Sequence, residues 1–340
     1  MKTRPQILLV LCWPLLMCGG SNAQIVFRTA DLPHLLGEYH RGYAGSNIDI
    51  SGLIGPPGGP QRWDFSQSQA AGESIQRTDI VSPNDGGNGD VFTNATYAER
   101  LTREDTSGQS WEYFSFAINQ GRSFYGFYDP VDDPGASASV FESTNVDLPD
   151  PIQFGQSWNR AVDWLMTIDL GFVQYQIATH FTASTTVDAY GTVVLPQIGE
   201  VPALRVQEFQ TYEPFDLTDG IPLPTEYSTN YFWLVRGIGK AVEIDSVTYV
   251  PSQSLPFTNT FFRVFETSYR AATGVQILLQ NGQAVLNWNQ ATNASGYRVE
   301  STTNLATTNW KLVSQPVTNT WSAGPPTAPA QQFFRVTLLP

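Results

Sequence analysis

The sequence predicts an all-β protein dominated by one large antiparallel meander, built either as a β-sandwich or as a bent half-barrel. Three observations predict it. Runs rich in aromatic and β-branched residues alternate apolar with polar positions, which is the period of a strand. Short Gly-, Asn- and Pro-containing stretches separate those runs, as in sequential hairpins. Beyond the N-terminal leader, no stretch keeps a helical period for three turns between capping residues.

The leader comes first. Lys2 and Arg4 precede an apolar run from Ile7 to Met17, and Ser21-Asn22-Ala23 supplies small residues just before Gln24. Charge, apolar run and cleavage site in that order predict a secretory signal peptide over residues 1–23. The run is too short to span a bilayer, and Pro14 interrupts it. An alternative is a lipoprotein signal, with Cys18 lipidated after Leu15-Leu16-Met17. There Met17 stands where the pattern wants a small residue. Both cysteines, Cys12 and Cys18, lie in the leader, so a chain cut after Ala23 has no disulfide and no thiolate nucleophile. The expected location is outside the cell or on its surface.

Strand signals then follow in order. Trp111 to Ile118 and Arg122 to Tyr128 flank the turn Asn119-Gln120-Gly121. Phe172 to Tyr190 is a long run alternating at Val173, Tyr175, Ile177 and Thr179. Thr192 to Leu195 and Ala203 to Tyr212 are joined by a Pro/Gly loop, and Tyr227 to Val235 pairs with Ala241 to Val250 across Gly237-Ile238-Gly239. Phe261 to Tyr269 closes the series. Residues 24–62 carry no clear period. Within them, Gly55-Pro56-Pro57-Gly58-Gly59-Pro60 is a loop and not a phosphate cradle, because its prolines lack N–H donors and no Gly-Lys-Ser/Thr follows. The large β domain is thus predicted over 24–270, with a joint at Ala271-Ala272-Thr273-Gly274.

The remaining segment, 271–340, is the most legible. Leu286 and Trp288 share one strand face, as do Tyr297 and Val299. Together with Thr303-Asn304-Leu305, Asn309-Trp310 and Phe333-Phe334-Arg335-Val336, these residues resemble a fibronectin-III-like module of secreted environmental bacterial proteins. The resemblance covers about residues 275–340 and implies a small β-sandwich with an accessory or spacer role. The segment is shorter than the usual sandwich of about 100 residues. Gln61-Arg62-Trp63-Asp64-Phe65-Ser66, Phe154-Gly155-Gln156-Ser157-Trp158 and Tyr190-Gly191-Thr192-Val193-Val194-Leu195-Pro196 resemble an uncharacterised group of exported bacterial β proteins. No activity comes with that likeness.

Composition narrows the function classes. Acidic residues outnumber Lys and Arg by 31 to 18, which argues against nucleic acid and anionic membranes as partners, since both need a cationic footprint. No Gly-x-Ser-x-Gly elbow is present. Asp85, Asn88 and Asp90 place oxygen ligands at short spacing in a Gly-rich loop and are the candidate calcium site; Asp129, Asp132 and Asp133 form a similar turn. Both runs also have the composition of ordinary turns. Asp31, His34, Glu38 and His40 are a weaker metal candidate, because their spacing is not one of zinc's. His180 reads as an ordinary sheet residue. Asn94-Ala95-Thr96 and Asn293-Ala294-Ser295 fit the glycosylation pattern.

Aromatics make up 13% of the chain, so Trp63, Trp111, Trp158, Trp164 and Trp233 either build the core or stack on sugars at a sheet surface. The functional expectation is a secreted or surface-associated, non-catalytic protein that binds an extracellular partner such as a glycan or an envelope component. The alternatives are a half-barrel carrier of an apolar ligand and a hydrolase using an acidic site that no motif announces.

Overall fold

The structure is a computed structural model. It describes residues 25–28, 31–46, 48, 52–117, 119–131, 135–169, 171, 173–248, 260–268, 275–280, 283–290, 296–303, 311–323 and 332–339. The leader with Cys12 and Cys18, the joint 271–274, Asp132, Asp133 and the Asn293 glycosylation pattern lie outside the described residues. About 66% of the described residues are strand, and no α-helix occurs among them.

In chain order the first strands are β1 (Val26–Phe27), β2 (Tyr39–Gly45), β3 (Gly58–Asp64), β4 (Ser74–Val81), β5 (Tyr97–Arg103) and β6 (Gly108–Ala117). Then come β7 (Gly121–Tyr128), β8 (Ser139–Pro149), β9 (Ile152–Gln153), β10 (Ser157–Asp169) and β11 (Gln174–Leu195). The domain ends with β12 (Gly199–Asp216), β13 (Ile221–Pro222), β14 (Glu226–Val235), β15 (Gly239–Thr248) and β16 (Thr260–Thr267).

Twelve of these strands close into an antiparallel barrel in simple chain order, β2-β4-β5-β6-β7-β8-β10-β11-β12-β14-β15-β16 and back to β2. The expected meander is therefore present, but it is neither an open half-barrel nor a sandwich. Closure rests on β2, which lies in the stretch without a clear sequence period. It pairs with β4 on one edge and with β16 on the other, from Phe261↔Gly45 to Thr267↔His40. Gly42 makes that seam possible. A Cβ there would lie 2.2 Å from the Phe262 ring and 2.8 Å from the Arg263 carbonyl oxygen.

Strand β11 organises the wall. One edge pairs with β12 along most of its length. The other edge pairs with β10 from Gln174 to Thr186 and, further on, with β3 in parallel from Ala189 to Val194. A bulge at Asp188 separates the two regimes and reverses the inward face. Val187 packs with Leu204, Val206, Phe232 and Leu234 on the inside, whereas Ala189 and Val193 pack with Trp63 and Trp233 on the outside. On β10 and β11 the outward positions Asn159, Asp163, His180 and Ser184 are exposed and polar. An outer-membrane barrel turns apolar residues outward there.

The outer wall is clad in two places. Residues 52–73 cover β11, β12, β14, β15 and β16, burying Trp63, Phe65, Trp233 and Ile244. Two buried arginines fasten this segment. Arg205 binds Asp188 at 2.7 and 2.9 Å and donates to the carbonyls of Ile54, Gly55 and Pro56. Arg263 forms a buried pair with Glu73 and donates to Ser68 O at 3.0 Å. The Gly/Pro loop thus presents carbonyl acceptors to a guanidinium, the opposite polarity to a phosphate cradle. Elsewhere residues 82–96 cover Trp111 and Tyr113, with Phe92 stacked on Tyr113 at 3.8 Å.

The C-terminal segment forms two three-stranded antiparallel sheets. One contains β17 (Gln276–Gln280), β18 (Gln283–Asn287) and β21 (Thr320–Ser322); the other contains β19 (Gly296–Thr302), β20 (Lys311–Ser314) and β22 (Phe333–Leu339). Leu286, Trp288, Tyr297, Val299 and Val336 form its core. It meets the barrel at Asp31, which takes Arg335 at 3.3 Å and Arg236 at 3.3 Å.

Candidate functional site

An eight-stranded barrel is just wide enough for its own side chains to fill. Twelve strands leave more room, and the interior is finished in different ways along its length. At one end Phe27, Leu32 and Ile152 pack against Leu148, Val187, Leu204 and Leu234 and close the barrel with an apolar plug. Above the plug the lumen holds two adjoining cavities of about 330 and 370 Å³, which share Glu112, Arg122 and Lys240 in their walls.

The first cavity is aromatic. Phe114 and Phe124 stack at 4.8 Å on one side of it, and Phe124 meets Phe141 edge-on at 4.8 Å. Phe127, Phe141 and Trp164 form a box of mutually tilted rings, with centroids 5.4 to 6.4 Å apart. Phe181 and Tyr212 continue the wall from β11 and β12. The rings converge because alternate residues of neighbouring strands share the lumen face.

The wall shared by the cavities carries Glu112, Arg122 and Lys240, and Arg160 and Glu208 add a charged pair on the aromatic side. Arg122 binds Glu99 at 2.9 Å and Asp147 at 2.5 Å, with its guanidinium 4.2 Å from the Phe114 centroid. Arg160 binds Glu208 at 2.7 Å; Thr185 and Gln210 also donate to Glu208, and Tyr212 donates to Gln210. Burial would raise the Glu208 carboxyl, but Arg160 and these hydrogen bonds outweigh it and hold it below the usual range. Lys240 binds Glu243 at 2.7 Å. Burial opposes the lysine's charge, yet Glu243 and Glu112 keep it above the ordinary range.

Glu112 differs from its neighbours. It sits directly across from Glu99 on β5 and from Phe127 on β7, and its side chain is open to the lumen. Among the described residues it accepts no hydrogen bond and joins no ion pair. Desolvation by the surrounding wall, and then the facing Glu99, push its carboxyl up to about 7. In the second cavity, burial and Glu243 raise the Asp245 carboxyl, and one of its oxygens has no partner. His40 lines the same cavity, and burial lowers it to about 4 against the pull of Asp79, so it is neutral near pH 7.

The residues singled out from sequence are placed elsewhere. Asp85 is taken by Arg100 at 3.0 Å and by the Trp111 indole at 3.2 Å; the Asn88 amide donates to Gly86 O, and Asp90 is exposed. That loop serves as cladding over Trp111 and Tyr113. Asp129 accepts from Val131 N. Glu38 accepts from the backbone N–H groups of His34 and Leu35, and His34 Nδ1 lies 2.7 Å from Leu32 O. No group of three or more His, Cys, Asp or Glu side chains suited to a metal occurs among the described residues. His180 pairs with Asp163 at 2.7 Å on the outer face. Of the five tryptophans considered for a sugar platform, Trp63, Trp111, Trp164 and Trp233 are at most 9% exposed. Trp158 is partly buried and donates to Asp147 O.

Sequence reasoning missed Glu99, Glu112, Arg122, Arg160 and Lys240. The one available signal was a lone Glu between Trp111 and Tyr113 in an otherwise aromatic strand. Comparison with family models, curated proteins and solved structures found no match to this chain.

Proposed function

We propose that this is an exported binding protein that holds a small amphipathic molecule inside its barrel. The observation that carries the reading is the aromatic cavity of about 330 Å³, with charged groups gathered at one side of it. Its size falls at the lower end of the range for small-ligand sites, which are mostly apolar with a few placed polar groups. Rings from seven successive strands of the barrel bordering a void are what an apolar body needs. The charged groups are suited to orient a polar end. Of the sequence-based alternatives this is closest to the carrier of an apolar ligand, with a closed barrel replacing the open one. The leader supports export, and the six-stranded C-terminal unit fits a fibronectin-III-like accessory module. Catalysis is less well supported: among the carboxylates lining the aromatic cavity, Asp147 and Glu208 are already bound to arginines, leaving Glu112 without a free partner.

The test is a titration of the purified mature protein with phenylnaphthylamine, a neutral probe that brightens in apolar surroundings. Saturable binding of about one probe per chain is expected, and denaturing organic extraction should release a small amphiphile from natively purified material. Absence of saturable binding by extracted protein would sink the reading.

A further inference from the structure

Resting on that reading, we infer that the polar end of the ligand is an organic cation, an ammonium group on an apolar body, seated between Glu112 and the Phe127–Phe141–Trp164 box. The first support is the state of the lumen's other charges. The three cations lining the aromatic cavity each hold a carboxylate: Arg122 holds Glu99 and Asp147, Arg160 holds Glu208, and Lys240 holds Glu243. An anionic ligand would have to displace one of these. Among the carboxylates lining the aromatic cavity, Glu112 is the one left over, open to the lumen and shared by both cavities.

The second support is position. Glu112 and Phe127 are direct cross-strand partners on the same face, a relation that puts their Cβ atoms about 5 Å apart. The Phe127 ring meets Trp164 at 6.0 Å and Phe141 at 6.4 Å. A cation beside Glu112 therefore meets a carboxylate on one side and aromatic faces on the other, and both attract it. These three rings are also free for that task. Arg122, Arg160 and Lys240 lie over Phe114, Phe181 and Phe232 instead. A third support is the row Glu99–Glu112, two carboxylates facing each other across adjacent strands. Like charges in that relation destabilise a sheet, and a bound cation relieves the repulsion. A bare metal ion would leave the aromatic box unused.

The experiment compares three probes with one phenyl-tetramethylene body: phenylbutylammonium, phenylbutanol and phenylpentanoate, titrated calorimetrically into the mature protein at pH 8. The ammonium should bind at least about tenfold tighter than the carboxylate, and Glu112→Gln should bring the two within about threefold. Should that variant fail to fold, the wild type supplies a second measurement. The groups facing Glu112 are Glu99, Arg122, Lys240 and Glu243, and it titrates near neutrality. The preference should therefore shrink from pH 8 to pH 5.5. Phenylbutanol bound while the carboxylate matches or exceeds the ammonium would overturn the cation assignment and leave the cavity reading intact. A preference that persists unchanged in Glu112→Gln would overturn it as well. Failure of all three probes to bind would overturn both.

Discussion

The two faces of the barrel wall solve opposite problems with the same strands. On the outside of β11 to β16, Trp63, Phe65, Trp233 and Ile244 are packed dry beneath residues 52–73, and each buried charge there has a partner of opposite sign or a row of carbonyls. On the inside, the same sheet surrounds cavities, and Glu112 has no partner. In an ordinary sandwich the inner face would be the core and the outer face would be wet. Here part of the outer face is packed dry, and beyond its apolar plug the inner face is left open. A barrel of this girth can leave part of its lumen unfilled when the outer cladding and the plug are densely packed.

That contrast can be broken deliberately. The largest effect should come from Glu73→Ala, which strands the buried Arg263 and loosens the segment that covers the outer wall. Removing one member of a buried pair costs about 3–5 kcal/mol, measurable by urea unfolding. Trp233→Ala, in the dry outer core, should cost a similar ~3–5 kcal/mol. Trp164→Ala removes the same side chain from a wall that already borders a void, so its stability loss should be smaller, about 1–2 kcal/mol. It should also weaken phenylnaphthylamine binding, which Trp233→Ala leaves unchanged if the protein remains folded. Equal stability losses at the two tryptophans would refute the contrast.

A smaller effect is expected at Glu112, and it depends on pH. Its folded carboxyl titrates at about 7, against an ordinary value of 4.5. Between those values the folded protein holds a proton that the unfolded chain has released, so stability falls as pH rises through this window. Glu112→Gln should therefore be neutral at pH 4 and stabilising above pH 7. Screening by lumen water limits the gain to about 1 kcal/mol. Thermal melts of both proteins at the two pH values would show it. The smallest effect should be Asp163→Asn, which breaks the exposed His180 pair on the outer wall. Exposed pairs contribute under about 1 kcal/mol, which thermal melts of the variant would show.

The all-β class and several hairpins were legible in the sequence because apolar alternation survives in Trp111 to Tyr128 and in the long run ending near Tyr190. What alternation does not carry is which face is inside. Trp111 and Tyr113 point outward beneath residues 82–96, and Glu112 points into the lumen, the reverse of the usual reading of such a strand. The bulge at Asp188 similarly reverses β11 midway without any break in its apolar pattern. Strand β2 was illegible because Gly42, required for a tight seam, and Gly45 erase its side-chain period. Without β2 the meander has no partner for β16, so closure could not be read. The site followed closure into invisibility, since its charged residues come from strands far apart in sequence and meet only once the ring is complete.

The proposed binding site is the aromatic cavity inside the closed barrel. The most direct measurement is phenylnaphthylamine affinity in wild type and in Phe141→Glu, with near-ultraviolet circular dichroism to establish that both are folded. A charge placed among Phe124, Phe127 and Trp164 should weaken binding at least tenfold. Unchanged affinity in a folded Phe141→Glu protein would place the ligand somewhere else and contradict the account.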